Sequence, residues 1–130
     1  MVRTRRVDPE THIIGFNTNL AANLYVNEHD LSEPVEGMTF GVAKIHQKSL
    51  HAGERHLAGD EVLYLIDGKA RLVFTDDPEP DVDLRSGDVV VVPKGLWHRV
   101  DILEPCHFVY LTPGHNNEVR PLAVEPGARP

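Results

Sequence analysis

The sequence predicts an all-β fold, built as a sandwich or a barrel of short strands. Two observations support this expectation. Ten glycines and ten prolines punctuate the 130 residues, and no segment repeats apolar residues at the spacing of a long helix. Hydrophobic residues make up 41% of the chain, which is enough for one core without disulfides. We therefore expect one domain that spans residues 1–130.

Six segments in the middle of the chain have the pattern of a strand, and turn signals separate them. Further strands are expected in the N-terminal region, after a polar and irregular start at residues 1–10. The proline-rich tail from Pro113 to Pro130 is expected to lack regular structure. The six predicted strands cover residues 38–45, 61–66, 69–75, 88–92, 97–102 and 106–111.

The dipeptide Asp67-Gly68 predicts a type I′ β-hairpin between two of these strands, with Glu61 opposite Phe74. An ionised carboxylate in the core is costly unless it is paired or bound to a cation. The simpler interpretation is that Glu61 lies at a strand end, within reach of water. Because side chains alternate between the two faces of a strand, Glu61 shares the core face with Leu63, Leu65, Ala70, Leu72 and Phe74.

A second polar residue falls on an apolar strand face, because His98 alternates in phase with Val100 and Ile102. A lone histidine there is more often a satisfied core residue than a ligand, but two such residues in one small domain favour a site. Imidazole and carboxylate ligands suit iron(II), manganese, zinc or nickel, and two histidines with one carboxylate form the facial triad of non-haem iron oxygenases. Extended backbone adds two more candidates, so the set is Glu54, His56, Glu61 and His98.

Two motifs in the chain resemble those of the cupin family. The segment Gly53-Glu-Arg-His56-Leu-Ala-Gly-Asp-Glu61, which continues to Gly68, is similar to the first cupin motif. The second cupin motif is similar to the segment Gly87-Asp-Val-Val-Val-Val-Pro-Lys-Gly-Leu-Trp-His98. The resemblance implies a small double-stranded β-helix, or jelly-roll barrel, with its core at about residues 38–112 and a metal ion held inside. By position, the ligands that it implies are His56, Glu61 and His98.

The sequence departs from the family pattern at two positions. Glu54 stands where the first motif usually has its first histidine, with His51 as an alternative ligand, and Ile102 stands where an asparagine usually follows the second motif. With Glu54 as a fourth ligand, two carboxylates and two neutral imidazoles would cancel the +2 charge of the metal ion. Such a neutral centre is a weaker Lewis acid, attracts anionic substrates less and favours iron or manganese over zinc or nickel.

The expected function is that of a metal-dependent enzyme acting on a small organic substrate, either a dioxygenase or an isomerase. The alternatives are a non-catalytic cupin that binds or senses a small molecule, and a structural role. Fold alone does not decide among them, because one architecture hosts many functions. No catalytic acid or base stands out beside the four ligands, and the expected cofactor is one divalent transition metal ion.

The composition of the chain limits which binding partners and which cellular compartment are expected. Twenty acidic against thirteen basic residues give a net charge of −7, which argues against nucleic acid and anionic membranes as partners. The single cysteine, Cys106, excludes an internal disulfide and a cysteine-based zinc site, and no secretory signal is recognised, so a cytoplasmic location is expected. A homodimer is expected to cover the apolar face opposite the core, which is formed by Val62, Tyr64, Ile66 and Val73.

Overall fold

Residues 4–27, 34–46 and 51–121 are described by a computed structural model of the protein. Within these ranges the chain forms nine β-strands and no helix, so the all-β prediction is confirmed. The strands are β1 (His12–Phe16), β2 (Ala22–Val26), β3 (Met38–Ile45), β4 (Gly53–His56), β5 (Glu61–Phe74), β6 (Val82–Arg85), β7 (Val89–Val92), β8 (His98–Pro113) and β9 (Asn117–Arg120).

The two long strands organise the barrel. Strand β8 pairs with β3, β4 and β5, and β5 pairs in turn with β6, β7 and β8, all antiparallel. On the two sides of β8 the sheet continues through β3 to β1 and β2 and through β4 to β9, in the order β2-β1-β3-β8-β4-β9. Because β5 and β8 change partners along their length, the sheet curls on itself as a double-stranded β-helix and encloses one interior.

The predicted hairpin at Asp67-Gly68 is wrong. Strand β5 runs straight through this dipeptide, so Glu61 pairs with Val92 and Phe74 pairs with His98. The pairing of β5 with β8 shifts register three times between Leu65 and Ala70, which marks a bulged region. Gly68 lies in this region with φ of +111°, a backbone conformation that suits glycine in a bulge as well as in a turn.

The predicted faces of this region are nevertheless confirmed. A hairpin and a bulge both move the inward positions from odd to even numbers, so one pattern of apolar residues fits either structure. Strand β8 likewise joins the two segments that were predicted separately at 97–102 and 106–111. The inward residues that are buried in β5 are Glu61, Leu63, Leu65, Ala70 and Leu72.

The prediction for the C-terminal tail is wrong at its start. Strand β9 follows a short turn after Pro113 and pairs with β4 along its whole length, from Gly53↔Arg120 to His56↔Asn117. The prolines and the glycine around this segment predict irregular structure, so the sequence does not indicate a strand. The strand forms because its backbone pairs with the edge of β4. The rest of the predicted tail, residues 122–130, lies outside the described residues, as do residues 1–3.

The interior has an apolar part and a polar part. The apolar core joins inward residues of β5 and β8 with Leu84 of β6 and Val92 of β7. Three buried polar residues, His56, Glu61 and His98, are each at most 4% exposed and lie at one end of this interior. Since buried ionisable groups are costly without partners, this end of the barrel is the place to look for a site.

Candidate metal centre

All four candidate ligands predicted from the sequence come together in the structure. Glu54 and His56 lie on β4, Glu61 begins β5 and His98 begins β8. Glu54 is paired with His98 across the sheet, which brings the two motifs side by side. One ligand atom from each residue lies within 4.8 Å of the corresponding atoms of the other three. A cluster of this size could hold a metal ion.

The imidazole Nε2 atoms and the carboxylate oxygens face one another at short range. His56 Nε2 is 3.3 Å from Glu61 Oε2 and 3.6 Å from Glu54 Oε1. His98 Nε2 is 3.3 Å from Glu61 Oε1 and 3.5 Å from Glu54 Oε1. The glutamates therefore alternate with the histidines around a common centre, each carboxylate serving both rings.

The second nitrogen of each ring fixes which way the ring faces. His56 Nδ1 lies 2.8 Å from Oδ1 of Asn117, whose amide nitrogen donates to the carbonyl of Pro113. His98 Nδ1 lies 2.9 Å from the carbonyl of Leu96. Both partners are acceptors, so each Nδ1 carries a hydrogen and each Nε2 faces the carboxylates, where it can bind a metal ion once the ring is neutral.

This donor set fits a divalent cation. His56 Nε2 is buried with carboxylate oxygens at 3.3 and 3.6 Å, and an unprotonated nitrogen in that position repels them unless a positive charge lies between. A bound transition metal ion would supply that charge, and a carbonyl or amide behind each ring is the usual outer partner of a metal-binding histidine. Glu61 is held as well, because the Thr112 hydroxyl donates to its Oε2 at 2.6 Å.

Without a metal ion, protons must supply the positive charge. Burial lowers the pKa of both imidazoles, but hydrogen bonds to Glu54 and Glu61 outweigh it and raise the pKa of His56 to about 10 and that of His98 to about 9. Burial alone would raise the pKa of the two carboxyl groups, yet the same hydrogen bonds hold both below their usual value. The cluster thus keeps two negative charges, which are balanced either by two protonated imidazoles or by a bound cation.

The residues next to Glu54 take separate roles. Arg55 points away and forms an ion pair of 2.9 Å with Glu118, so it does not neutralise Glu54. His51, the alternative first ligand, lies with its Nε2 3.5 Å from Glu54 Oε2, on the outer side of that carboxylate. The four-residue cluster does not include His51, so its position fits a neighbour of Glu54 better than a replacement for it.

Asn117 and Thr112 are the supporting residues that sequence reasoning missed. Asn117 lies 61 positions after the histidine that it contacts, on a strand that was not predicted. Thr112 is the last residue of the expected barrel core and has no feature that sets it apart from any other strand threonine. A local pattern carries no signal for either contact, because both depend on how distant strands pair.

Strand β9, which carries Asn117, is anchored by a stacked cluster of side chains. The Trp97 ring lies under two guanidinium groups, with the Cζ of Arg120 at 3.8 Å and that of Arg55 at 4.8 Å from its centroid. Arg120 also binds Asp76 at 2.6 Å. Trp97 is half-buried and forms the platform of this cluster.

Glu54 and Glu61 of the cluster line a cavity of about 620 Å³ that opens to the surface. This volume is within the range of small-molecule sites. Strands β1, β3, β5 and β8 supply most of its wall, and Tyr110 and Asn117 contribute polar groups. Burial raises the pKa of Tyr110, and the charge of Glu61 raises it further, so the phenol stays protonated in this cavity.

Comparison with known proteins gives a family and several similar folds. The sequence profile of the cupin domain family, Cupin_2, matches residues 42–112. A cupin-2 domain containing protein from Shewanella frigidimarina NCIMB 400 is 23% identical, with a TM-score of 0.51 over 67% of this chain and 83% of that one. An uncharacterized conserved protein with a double-stranded beta-helix domain from Klebsiella pneumoniae subsp. pneumoniae MGH 78578 is 19% identical, with a TM-score of 0.55 over 70% and 81%.

Oxalate decarboxylase OxdC from Bacillus subtilis, which has Mn(II) centres, is 24% identical with a TM-score of 0.55. That match covers 65% of this chain but only 24% of the decarboxylase. No curated protein matches the sequence, and no described segment is a helix long and apolar enough to cross a membrane. The profile match covers more than half of the residues and both histidine motifs fold on one double-stranded β-helix, so the chain belongs to the cupin family.

Proposed function

We propose that this cupin binds one divalent transition metal ion through Glu54, His56, Glu61 and His98 and acts on a small organic molecule in the adjoining cavity. The observation that carries the proposal is the convergence of two imidazole Nε2 atoms and two carboxylates, all within 4.8 Å, with both Nδ1 atoms already hydrogen-bonded to acceptors. Iron and manganese are the favoured ions because half of the donors are hard oxygens, while zinc and nickel stay possible.

The chain's own groups prepare the site in three ways. Asn117 and the carbonyl of Leu96 orient the two rings, and Thr112 holds Glu61. Most of the cavity wall is apolar, and apolar surroundings strengthen the polar interactions that a ligand makes there. Tyr110 offers a protonated hydroxyl on that wall. When bound, the ion would supply Lewis acidity and, if it is iron or manganese, redox chemistry.

An enzyme of the dioxygenase or isomerase type is the proposal that uses all of these features. A cupin that binds or senses a ligand without converting it needs the cavity but has less need of a metal ion beside that cavity. The enzyme proposal therefore predicts turnover that depends on the metal ion, whereas the binding proposal predicts ligand affinity without turnover.

The first experiment measures metal per chain by mass spectrometry, on protein purified without chelator and after addition of iron, manganese, zinc and nickel. We expect one ion per chain in the wild type and loss of that ion in His98→Ala. The matched control is His107→Ala, which removes a half-buried histidine of the same strand outside the cluster. Wild-type protein that holds no metal under any of these conditions would overturn the proposal.

The second experiment separates the two classes of function. Oxygen consumption and product formation are followed with the metal-loaded protein and a panel of small catechols and diketones. Turnover that disappears in His98→Ala and survives in His107→Ala supports an enzyme. Saturable binding of panel members with no turnover by the loaded protein supports the sensing alternative.

A further inference from the structure

We propose that the cavity takes a neutral, largely apolar small molecule and discriminates against carboxylates and other anions. This inference rests on the proposed function, because it names the substrate class of the same site. Three observations carry it: the charge of the four ligands, the composition of the cavity wall and the kind of polar group that the wall offers.

The ligand set leaves no positive charge for an anion. Glu54 and Glu61 bring two negative charges, and the two histidines are neutral when their Nε2 atoms bind a metal ion. A divalent ion in this set is therefore fully compensated by protein carboxylates. An anionic substrate would approach two carboxylates whose charges are already matched, so it would gain little from the centre as a whole.

Apart from the cluster, the one side chain of the described cavity wall that can carry a positive charge is His51, which lies against Glu54 at 3.5 Å. Within residues 4–27, 34–46 and 51–121, no lysine or arginine lines the cavity. Arg55 and Arg120, the cations next to the cluster in sequence or pairing, lie on the outer side with Trp97, Glu118 and Asp76. Burying an unpaired carboxylate in such a space is costly. Most of the wall is apolar, including Ile13, Ile45, Leu63, Val100, Ile102 and Phe108.

The polar groups of the wall other than the cluster and His51 are uncharged, and several are already engaged. The Thr39 hydroxyl donates to the carbonyl of Thr112, whose own hydroxyl donates to Glu61. The Asn117 amide is committed to His56 and Pro113. Tyr110 remains as a neutral hydroxyl on this wall. A phenol can donate to one carbonyl or hydroxyl oxygen of a neutral molecule, but it cannot balance a full negative charge.

The test compares probes that differ in charge and little else. Manganese-loaded full-length protein is titrated by calorimetry with three matched pairs: acetamide and acetate, isobutyramide and isobutyrate, benzamide and benzoate. We expect the larger amides to bind best and to bind at least about tenfold more tightly than their carboxylates. Carboxylates that bind as tightly as the amides overturn the proposal, and so does the failure of every amide to bind at millimolar concentration.

A designed cation makes the test independent of probe shape. Val119 lines the cavity from β9 and is 57% exposed, so Val119→Lys adds a positive charge there at low risk to folding. This variant should raise the affinity for each carboxylate about tenfold relative to its matched amide. Leu103→Lys is the control, since Leu103 is 53% exposed and lies outside the cavity wall. An equal effect of both lysines would show that net charge, not the cavity, selects the ligand, and would overturn the proposal.

Metal content measured on the same samples separates this inference from the proposed function. Protein that holds manganese but prefers carboxylates overturns the neutral substrate class and leaves the metal site standing. Protein that holds no metal overturns both.

Discussion

Asn117 determines how well His56 is presented to a metal ion. Its amide oxygen accepts from His56 Nδ1 at 2.8 Å, and its amide nitrogen is held by Pro113 at the same distance, so the ring has one preferred orientation. We expect Asn117→Ala to weaken manganese binding by about 10- to 100-fold, the usual effect of removing an outer partner of a metal ligand.

Competition with a fluorescent chelator measures this affinity. Asn23→Ala is the matched control, because it removes an asparagine whose amide hydrogen-bonds Asn17 far from the cluster. Equal affinity of wild type and Asn117→Ala would show that the barrel orients His56 without the amide.

Glu54 decides the charge and the metal preference of the centre. Its Oε1 lies 3.5 Å from His98 Nε2 and 3.6 Å from His56 Nε2, a position from which it can share an ion with both rings. We expect Glu54→His to keep metal binding but to shift preference from manganese toward zinc and nickel, because a hard anionic oxygen is replaced by a softer neutral nitrogen.

Glu54→Ala should lose affinity for all of these ions. Affinities for manganese, zinc and nickel are compared by the same chelator competition in wild type and both variants. If both substitutions leave affinity and preference unchanged, Glu54 is not a ligand and the centre is a facial triad of His56, Glu61 and His98.

The bulge at Gly68 is the element that keeps β5 in phase with the core. A Cβ at this glycine would collide with the carbonyl oxygen of Pro105 and lie 2.8 Å from Cys106 Cα, and φ is +111°. Gly87 has a similar φ of +96° but open space around the same position. The two glycines therefore separate backbone strain from steric collision.

We expect Gly87→Ala to lower the free energy of unfolding by about 1–3 kcal/mol, the cost of a strained backbone position. Gly68→Ala should lower it by about a further 1–3 kcal/mol, because strand β8 must move away. Urea denaturation of the metal-free chain measures both changes. Equal losses would mean that the crossing of β5 and β8 is loose enough to absorb a methyl group.

Sequence could predict the faces of the strands but not their connections. The apolar spacing around Asp67-Gly68 fits both a hairpin and a bulge, and only the long-range partner β8 distinguishes them. The same limit applies to the site: Glu54, His56, Glu61 and His98 stand out as polar residues within two motifs, whereas Asn117 reaches His56 through the β4–β9 pairing. The chemistry of a residue can be identified from its neighbours in the sequence, whereas the pairing of two strands depends on residues that are far apart in the chain.

The outer surface of β5 and β7 carries a strip of apolar side chains that are exposed to water in a single chain. Tyr64 and Ile66 are each 39% exposed, and Val89 and Val91 on the neighbouring strand are 62% and 55% exposed. Covering this strip with a second copy would contribute about 25 cal/mol per Å² of apolar area. We expect a homodimer, with twice the 14.5 kDa mass of one chain in light scattering.

Val91→Lys, which puts a charge in this strip, should shift the mass toward the monomer on dilution. Val26→Lys is the control, because it charges an exposed valine of β2, outside the strip. A wild-type protein that is monomeric at every concentration would contradict the prediction that a second copy covers this strip.

Protons and the metal ion compete for the same two imidazoles. The stability of the metal-free barrel should therefore fall as pH rises, whereas the stabilisation by the bound ion should increase. In the metal-free protein the pKa of His56 is about 10 and that of His98 about 9, both raised by Glu54 and Glu61. In an unfolded chain both would be near 6.5, so the folded state binds more protons than the unfolded state between these values. Stability from these groups is fully present below about pH 6.5 and is lost as pH rises toward 9 to 10.

Metal binding needs the neutral rings, so the affinity of the folded protein for manganese rises over the same range. We therefore expect the difference in Tm between manganese-loaded and metal-free protein to widen from about pH 6 to about pH 9. Differential scanning calorimetry at fixed manganese concentration measures it, with His107→Ala as a control that keeps the trend. His98→Ala, which removes one of the two rings, should flatten it. A Tm difference that stays constant with pH in the wild type would mean that the imidazoles are not where the ion binds.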